Sequence, residues 1–137
     1  MISTRNLFRP IYKLLHELER FPVNGLENFS LYSQEIQLLD TRTNLHAMGL
    51  FQYQCVSKSC HLLLKWRYTE VDITVLRAEF EKPDDLNVRL LLEAFDGTDK
   101  LEEEFLFIYK YNNKGLIEKH IIQDRIRIKK PPVLCLK

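Results

Sequence analysis

A chain of 137 residues, 45% hydrophobic and 28% charged, can bury a sizeable core, and this composition excludes a disordered chain. A net charge of +1 gives no general case for nucleic-acid or membrane-surface binding, so such a contact would need a local patch. No apolar run reaches the roughly 18 residues of a membrane span.

The stretch MISTRNLFRPIYKLLH carries Arg5, Arg9 and Lys13 with no acid before Glu17. It resembles a mitochondrial presequence. It also reads as a first helix, with Pro10 in the first turn and Ile11, Leu14, Leu15 and Leu18 at helical spacing. The two readings are compatible. Phe21-Pro22-Val23-Asn24-Gly25 ends the pattern. Tyr32 to Asp40 is a strand, and Thr41 to Met48 is polar and predicts a connection. A second helix follows from about Leu50 to Leu64, with Phe51, Cys55, Val56, Leu62 and Leu63 expected as its inward stripe.

The remainder reads as strands: Arg67 to Glu81, Asn87 to Phe95, Glu104 to Tyr111 and Leu116 to Ile128. Lys82-Pro83-Asp84-Asp85, Asp96-Gly97-Thr98-Asp99 and Asn112-Asn113-Lys114-Gly115 separate them, and Gly115 supplies the positive φ of the last turn. Short turns between long strands predict an antiparallel meander, and two preceding helices make the class α+β. Residues 1–130 read as a single domain, with 131–137 as an apolar C-terminal tail.

Three cysteines (Cys55, Cys60 and Cys135) without CxxC spacing read as reduced apolar residues of an intracellular protein, mitochondrial or otherwise cytoplasmic. His46 and His61 lack a ligand pattern, so neither metal nor cofactor is expected. In the last strand, alternation puts Leu116, Glu118, His120, Ile122 and Asp124 on one face and Ile117, Lys119 and Ile121 on the other. His120 and Asp124 then lie roughly 13 Å apart, which excludes a His–Asp dyad unless a bulge intervenes.

The order helix, strand, helix, curved antiparallel sheet resembles the nuclear transport factor 2-like superfamily, a cone-shaped fold. Two stretches carry the resemblance: "LLDTRTNLHAMGLFQY" (Leu38 to Tyr53), an acid ending a strand before a Gly-x-x-x-Tyr that opens a helix, and the hairpin "NNKGLIEKH". The likeness spans about residues 8 to 128. It is greatest to a branch of unknown function from plastids and mitochondria that shares "SLYS" (Ser30 to Ser33) and "TRT" (Thr41 to Thr43).

The superfamily holds isomerases and dehydratases beside non-catalytic binding proteins. In its ketosteroid-isomerase-like branch, the acid at the position of Asp40 is a general base, and an aromatic hydroxyl matched loosely by Tyr12 helps hold the oxyanion. That chemistry needs a carboxylate in an apolar cone facing the abstracted proton. The second acid of the oxyanion site is replaced here by Phe107, and the usual proline after the first acid by Thr41. Competing structural roles are a loop-capping Asp40 paired with Arg42, a packing Tyr12, and a core or pocket-rim His120.

Arg125, Arg127, Lys129 and Lys130 make a basic strand face before the apolar tail. It reads either as a partner surface, with a polyanion contact of only about three charges, or as a solvated edge. Tyr68, Leu76 and Phe80 are expected on the sheet's outer face, where a protein partner or a second copy would bind. The expected function is a non-catalytic binding or assembly module with a cone-shaped cavity. The alternatives are an isomerase or lyase using Asp40, assisted by Tyr12 and His120, and a carrier of a small hydrophobic ligand. Asp40→Asn is expected to cost no more than about 1 kcal/mol, as for a half-exposed cap.

Overall fold

The computed structural model describes the backbone of residues 4–126 and the side chains of residues 11–123. The first helix, α1 (Thr4–Asn24), buries Leu14 and Leu18, with Ile11 and Leu15 packed beside them, on the stripe its spacing predicts. Gly25 closes it: its N–H donates to the Phe21 carbonyl at 2.9 Å, and its φ of +69° is a conformation that glycine adopts without strain.

The strands are β1 (Tyr32–Asp40), β2 (Leu45–Met48), β3 (Glu70–Lys82), β4 (Asp85–Phe95), β5 (Lys100–Tyr111) and β6 (Ile117–Ile126), with α2 (Leu50–Arg67) between β2 and β3. Among the described residues they form one six-stranded sheet in the order β2-β1-β6-β5-β4-β3. The fold is α+β, with both helices packed in the curve of an unclosed sheet. β3 to β6 are the predicted meander. The parallel β1–β6 pair sets Leu38 opposite His120 and Asp40 opposite Ile122, which brings the end of the first strand beside the middle of the last.

Four sequence expectations need correction. Thr41 to Met48 is not all connection, because Leu45 to Met48 pairs antiparallel with β1; only Ala47 of that short edge strand is buried, so its pattern carries no alternation. In α2 the expected inward stripe largely faces out: Phe51, Cys55, Leu62 and Leu63 are exposed, as is Trp66 at 82%. Tyr53 is buried instead, with Val56 against the core. Both faces of α2 are apolar, so periodicity could not choose between them. The turn decides: the Gly49 N–H donates to the Ile36 carbonyl at 2.8 Å, and the Tyr53 N–H to the Gly49 carbonyl at 3.0 Å.

The third correction is in β3. A register shift after Val75 turns Phe80 inward against the ring of Tyr111, leaving Leu76 exposed, while Tyr68 caps α2 outside the strand. The fourth is in β6. A shift at Glu118 puts Ile117 and His120 both inside, although simple alternation separates them. From His120 to Asp124 the pairing is regular, so the spacing that separates these two residues holds.

Candidate functional site

The sheet curves around α1 and α2 and leaves a cavity of about 390 Å³ between them. Its walls are apolar, from Leu38, Ile73, Leu90, Leu92, Phe105 and Phe107 among others. Besides Ser57 and Cys60 of α2, its polar side chains form two groups. Asp40, Arg42 and Glu103 sit at the mouth; Tyr53, Tyr109 and His120 form the deep end.

At the mouth, Asp40 ends β1 and is 5% exposed. Arg42, two residues on, closes around it. Its Nε donates to Oδ1 at 2.9 Å, its Nη2 to Oδ2 at 2.8 Å, and its backbone N–H to Oδ1 at 3.0 Å. Burial by itself raises the carboxyl pKa, but these bonds and the guanidinium charge outweigh it and hold Asp40 below the usual carboxylate value. The guanidinium also lies 4.7 Å from the centre of the Phe105 ring. Where the isomerase pattern has proline, the Thr41 N–H donates to the Ile122 carbonyl at 3.1 Å and its hydroxyl to the same oxygen at 2.9 Å. Proline could donate neither bond. Thr41 therefore ties the end of β1 to β6.

At the deep end His120 is 5% exposed and enclosed by rings. Tyr109 stacks on it at 4.4 Å and 24°, and Phe107 meets it edge-on at 4.6 Å. Phe107 thus packs an apolar ring at the position where the isomerase pattern has its second acid. The Tyr53 hydroxyl lies 2.8 Å from His120 Nδ1. Burial depresses the imidazole pKa to about 3 despite the opposing influence of the Asp40 charge, so the ring is neutral at physiological pH. Burial likewise raises the pKa of the Tyr53 and Tyr109 phenols. Two polar atoms of this end, His120 Nε2 and the Tyr109 hydroxyl, have no hydrogen-bond partner among the described residues.

Asp40 and His120 therefore both line the cavity. Tyr12 does not: it is 63% exposed on the outer side of α1, away from the expected oxyanion position. Of the basic face, Arg125 is described in its backbone alone, and Arg127, Lys129, Lys130 and the tail 131–137 lie outside the described residues. Sequence reasoning did not single out Tyr53 and Tyr109. Tyr53 was signalled by the Gly-x-x-x-Tyr stretch. Tyr109 follows from the hairpin register, which sets it opposite His120 once the shift at Glu118 is counted.

Chemically, this is an apolar chamber with a saturated ion pair at one end and buried, neutral hydrogen-bonding groups at the other. Among the described residues, no cluster of three His, Cys, Asp or Glu side chains could hold a metal ion. No helix among them is long and apolar enough to cross a membrane.

No family profile and no curated protein matches the chain. Solved structures do. An Exiguobacterium protein of unknown function, described as nuclear transport factor 2-like, superposes with a TM-score of 0.63 at 10% identity, covering 84% of this chain and 97% of its own. A hypothetical Catenulispora acidiphila protein with a ketosteroid isomerase-like fold, in complex with trimethylamine, gives 0.63 at 8% identity over 83% and 85% of the two chains. An epoxide hydrolase/cyclase-like enzyme with a role in pyran ring formation in salinomycin gives 0.67 at 11% identity over 92% and 95%. At these identities the likeness is one of fold, and that fold carries both uncharacterised and catalytic proteins. The chain has the nuclear transport factor 2-like fold.

Proposed function

We propose that this chain is a non-catalytic binding module whose cone takes up a small hydrophobic molecule. The observation that carries this reading is a cavity of about 390 Å³, within the size range of small-molecule pockets, with apolar walls and a neutral polar end. A packed cone would instead favour a scaffold. The alternative, an isomerase or lyase with Asp40 as general base, needs a carboxylate free to take a proton, and Arg42 occupies both oxygens. His120, with a pKa near 3, is a poor substitute base. That one protein of this fold holds trimethylamine and another has a role in ring formation fits a cone used as a chamber.

Self-association through the outer sheet face goes with this reading. Ile108 and Ile121 pair there, with Leu91 and Leu106 on neighbouring rungs, all half-buried and facing away from the cone. An intracellular setting, mitochondrial or cytoplasmic, fits the free Cys55 and Cys60.

The test is native mass spectrometry with a thermal-shift series of 2-ethylnaphthalene. The wild type is expected to bind the probe and gain stability, and to appear as a dimer. Leu92→Trp, which fills the half-buried upper wall, is expected to abolish uptake while the protein stays folded. Uptake that Leu92→Trp leaves unchanged, or no stabilisation at any probe concentration, overturns the reading.

A further inference from the structure

We propose that the outward face of α2 docks on an anionic lipid surface, with the helix lying along the membrane. The chain as a whole has almost no charge bias, so such a contact needs a local patch. α2 supplies one.

The two sides of α2 are used differently. Tyr53 is buried and Val56 packs on the core, while Ser57, Cys60 and Leu64 line the cavity. On the opposite side, at about 3.6 residues per turn, Lys65, Lys58, Phe51, Leu62, Cys55 and Trp66 follow one another round roughly 100° of arc. All six are exposed, Phe51 by 76%. The stripe from Phe51 to Trp66 is about 22 Å long at roughly 1.5 Å per residue, and exposed Leu63 widens it beside Trp66. Large apolar side chains left together on a surface mark a place of contact. Self-association through the outer sheet face leaves this stripe uncovered, because α2 packs on the other side of the sheet.

Charge and shape choose the occupant. α2 holds no Asp or Glu, and its charged residues are Lys58, Lys65 and Arg67. Arg67 lies 3.7 Å from Asp96. Lys58 and Lys65 have no ion-pair partner among the described residues. They form one margin of the stripe, where their stems can lie along the apolar side chains and their ammonium groups reach outward. On α1, which packs beside α2, Glu17 and Glu19 are taken up by the backbone N–H groups of Asn28 and Val75. The complement of the stripe is therefore apolar and negatively charged. A single helix crest is convex and offers no groove for a partner helix. A lipid interface yields to such a crest: the apolar side chains sink about 5–10 Å, and lipid phosphates and carboxylates meet the lysines. An exposed Trp suits that boundary, with an apolar ring and one N–H for the headgroups.

Trp66 is the chain's one tryptophan, so its emission reports on this face alone. The full chain is titrated with vesicles of phosphatidylcholine, and with vesicles in which phosphatidylserine replaces about a third of it. With the anionic vesicles the emission is expected to move to the blue and the protein to sediment with the lipid; with the neutral ones neither is expected. Lys58→Gln with Lys65→Gln is expected to weaken binding about thirtyfold, from about fivefold per lysine. Phe51→Gln with Leu62→Gln is expected to abolish it and, because both sites are exposed, to leave the urea midpoint unchanged. Binding that both double variants leave unchanged overturns the proposal, as does equal binding to the two vesicles or binding to neither. A Trp66 shift with a leucine–glutamate amphipathic peptide and none with vesicles puts an acidic protein on the stripe, and a shift driven by protein concentration alone puts a second copy there. Either result overturns the membrane assignment.

Discussion

The two ends of the cavity hold polar side chains of opposite electrical design. At the mouth, Asp40 and Arg42 carry full charges that satisfy one another through three hydrogen bonds. At the deep end, His120, Tyr53 and Tyr109 are neutral, and two of their polar atoms are unmet among the described residues. A saturated ion pair fixes a loop and presents little to a newcomer. Unmet neutral groups destabilise the fold slightly. The unmet polar demand therefore lies at the deep end, although a carboxylate at a strand end is the more conspicuous residue in sequence. Conspicuous chemistry and available chemistry are different things.

The largest way to separate the ends is pH. Folded His120 has a pKa of about 3, against an ordinary value of 6.5 in an unfolded chain. Between those values the unfolded chain binds a proton that the folded one refuses, so stability rises with pH across the interval. The contribution is complete above pH 6.5 and is lost as pH falls toward 3. The expected loss is about 2 kcal/mol between pH 7 and pH 5, and about 3 by pH 4. Asp40 is also depressed, so its contribution has the same sign, but its loss lies below its ordinary 3.8. Burial raises the Glu17 carboxyl above its ordinary 4.5, which opposes this slope, so the part that His120→Phe removes is the part that belongs to the deep end. Urea midpoints measured at pH 7, 5 and 4 check this, and His120→Phe is expected to flatten them. A wild-type profile flat down to pH 4 would mean that the ring is hydrated and the deep end is not closed.

Much of this contrast was legible before any coordinates. The stripe Leu14–Leu18, the turn at Gly115 and the run of long strands are local signals, and each gave its element correctly. Asp40 and His120 both stand out in the sequence, and Arg42, two residues on, offers Asp40 its pair. What escaped was set by long-range geometry. The shift at Glu118 is a one-residue change of register that alters which side chains face in without changing composition. The orientation of α2 depends on a bond from Gly49 to Ile36, not on its own doubly apolar pattern. Tyr12 matches a motif position loosely, and α1 turns Leu14 and Leu18 inward, which leaves Tyr12 outside.

The next largest effect tests the mouth. The sequence reading expects Asp40→Asn to cost no more than about 1 kcal/mol, on the premise of a half-exposed cap. The structure revises this upward, because the carboxylate is 5% exposed and accepts charge-assisted bonds. The expected loss is about 2 kcal/mol by chemical denaturation, tempered by the partial exposure of Arg42. Affinity for 2-ethylnaphthalene is expected to change less than about twofold, since the pair acts at the mouth. A large loss of affinity without loss of stability would return Asp40 to the reacting centre.

The smallest effect is the most specific, because its sign alone decides. Tyr109 is fully buried, and its hydroxyl has no partner among the described residues. Tyr109→Phe keeps the ring stacked on His120 and removes one unmet polar atom. In the empty protein this relieves a desolvation cost, so stability is expected to rise by about 1 kcal/mol. A hydroxyl satisfied in the fold would instead lower stability when removed. Chemical denaturation of this one variant therefore decides whether the Tyr109 hydroxyl is unmet in the folded protein.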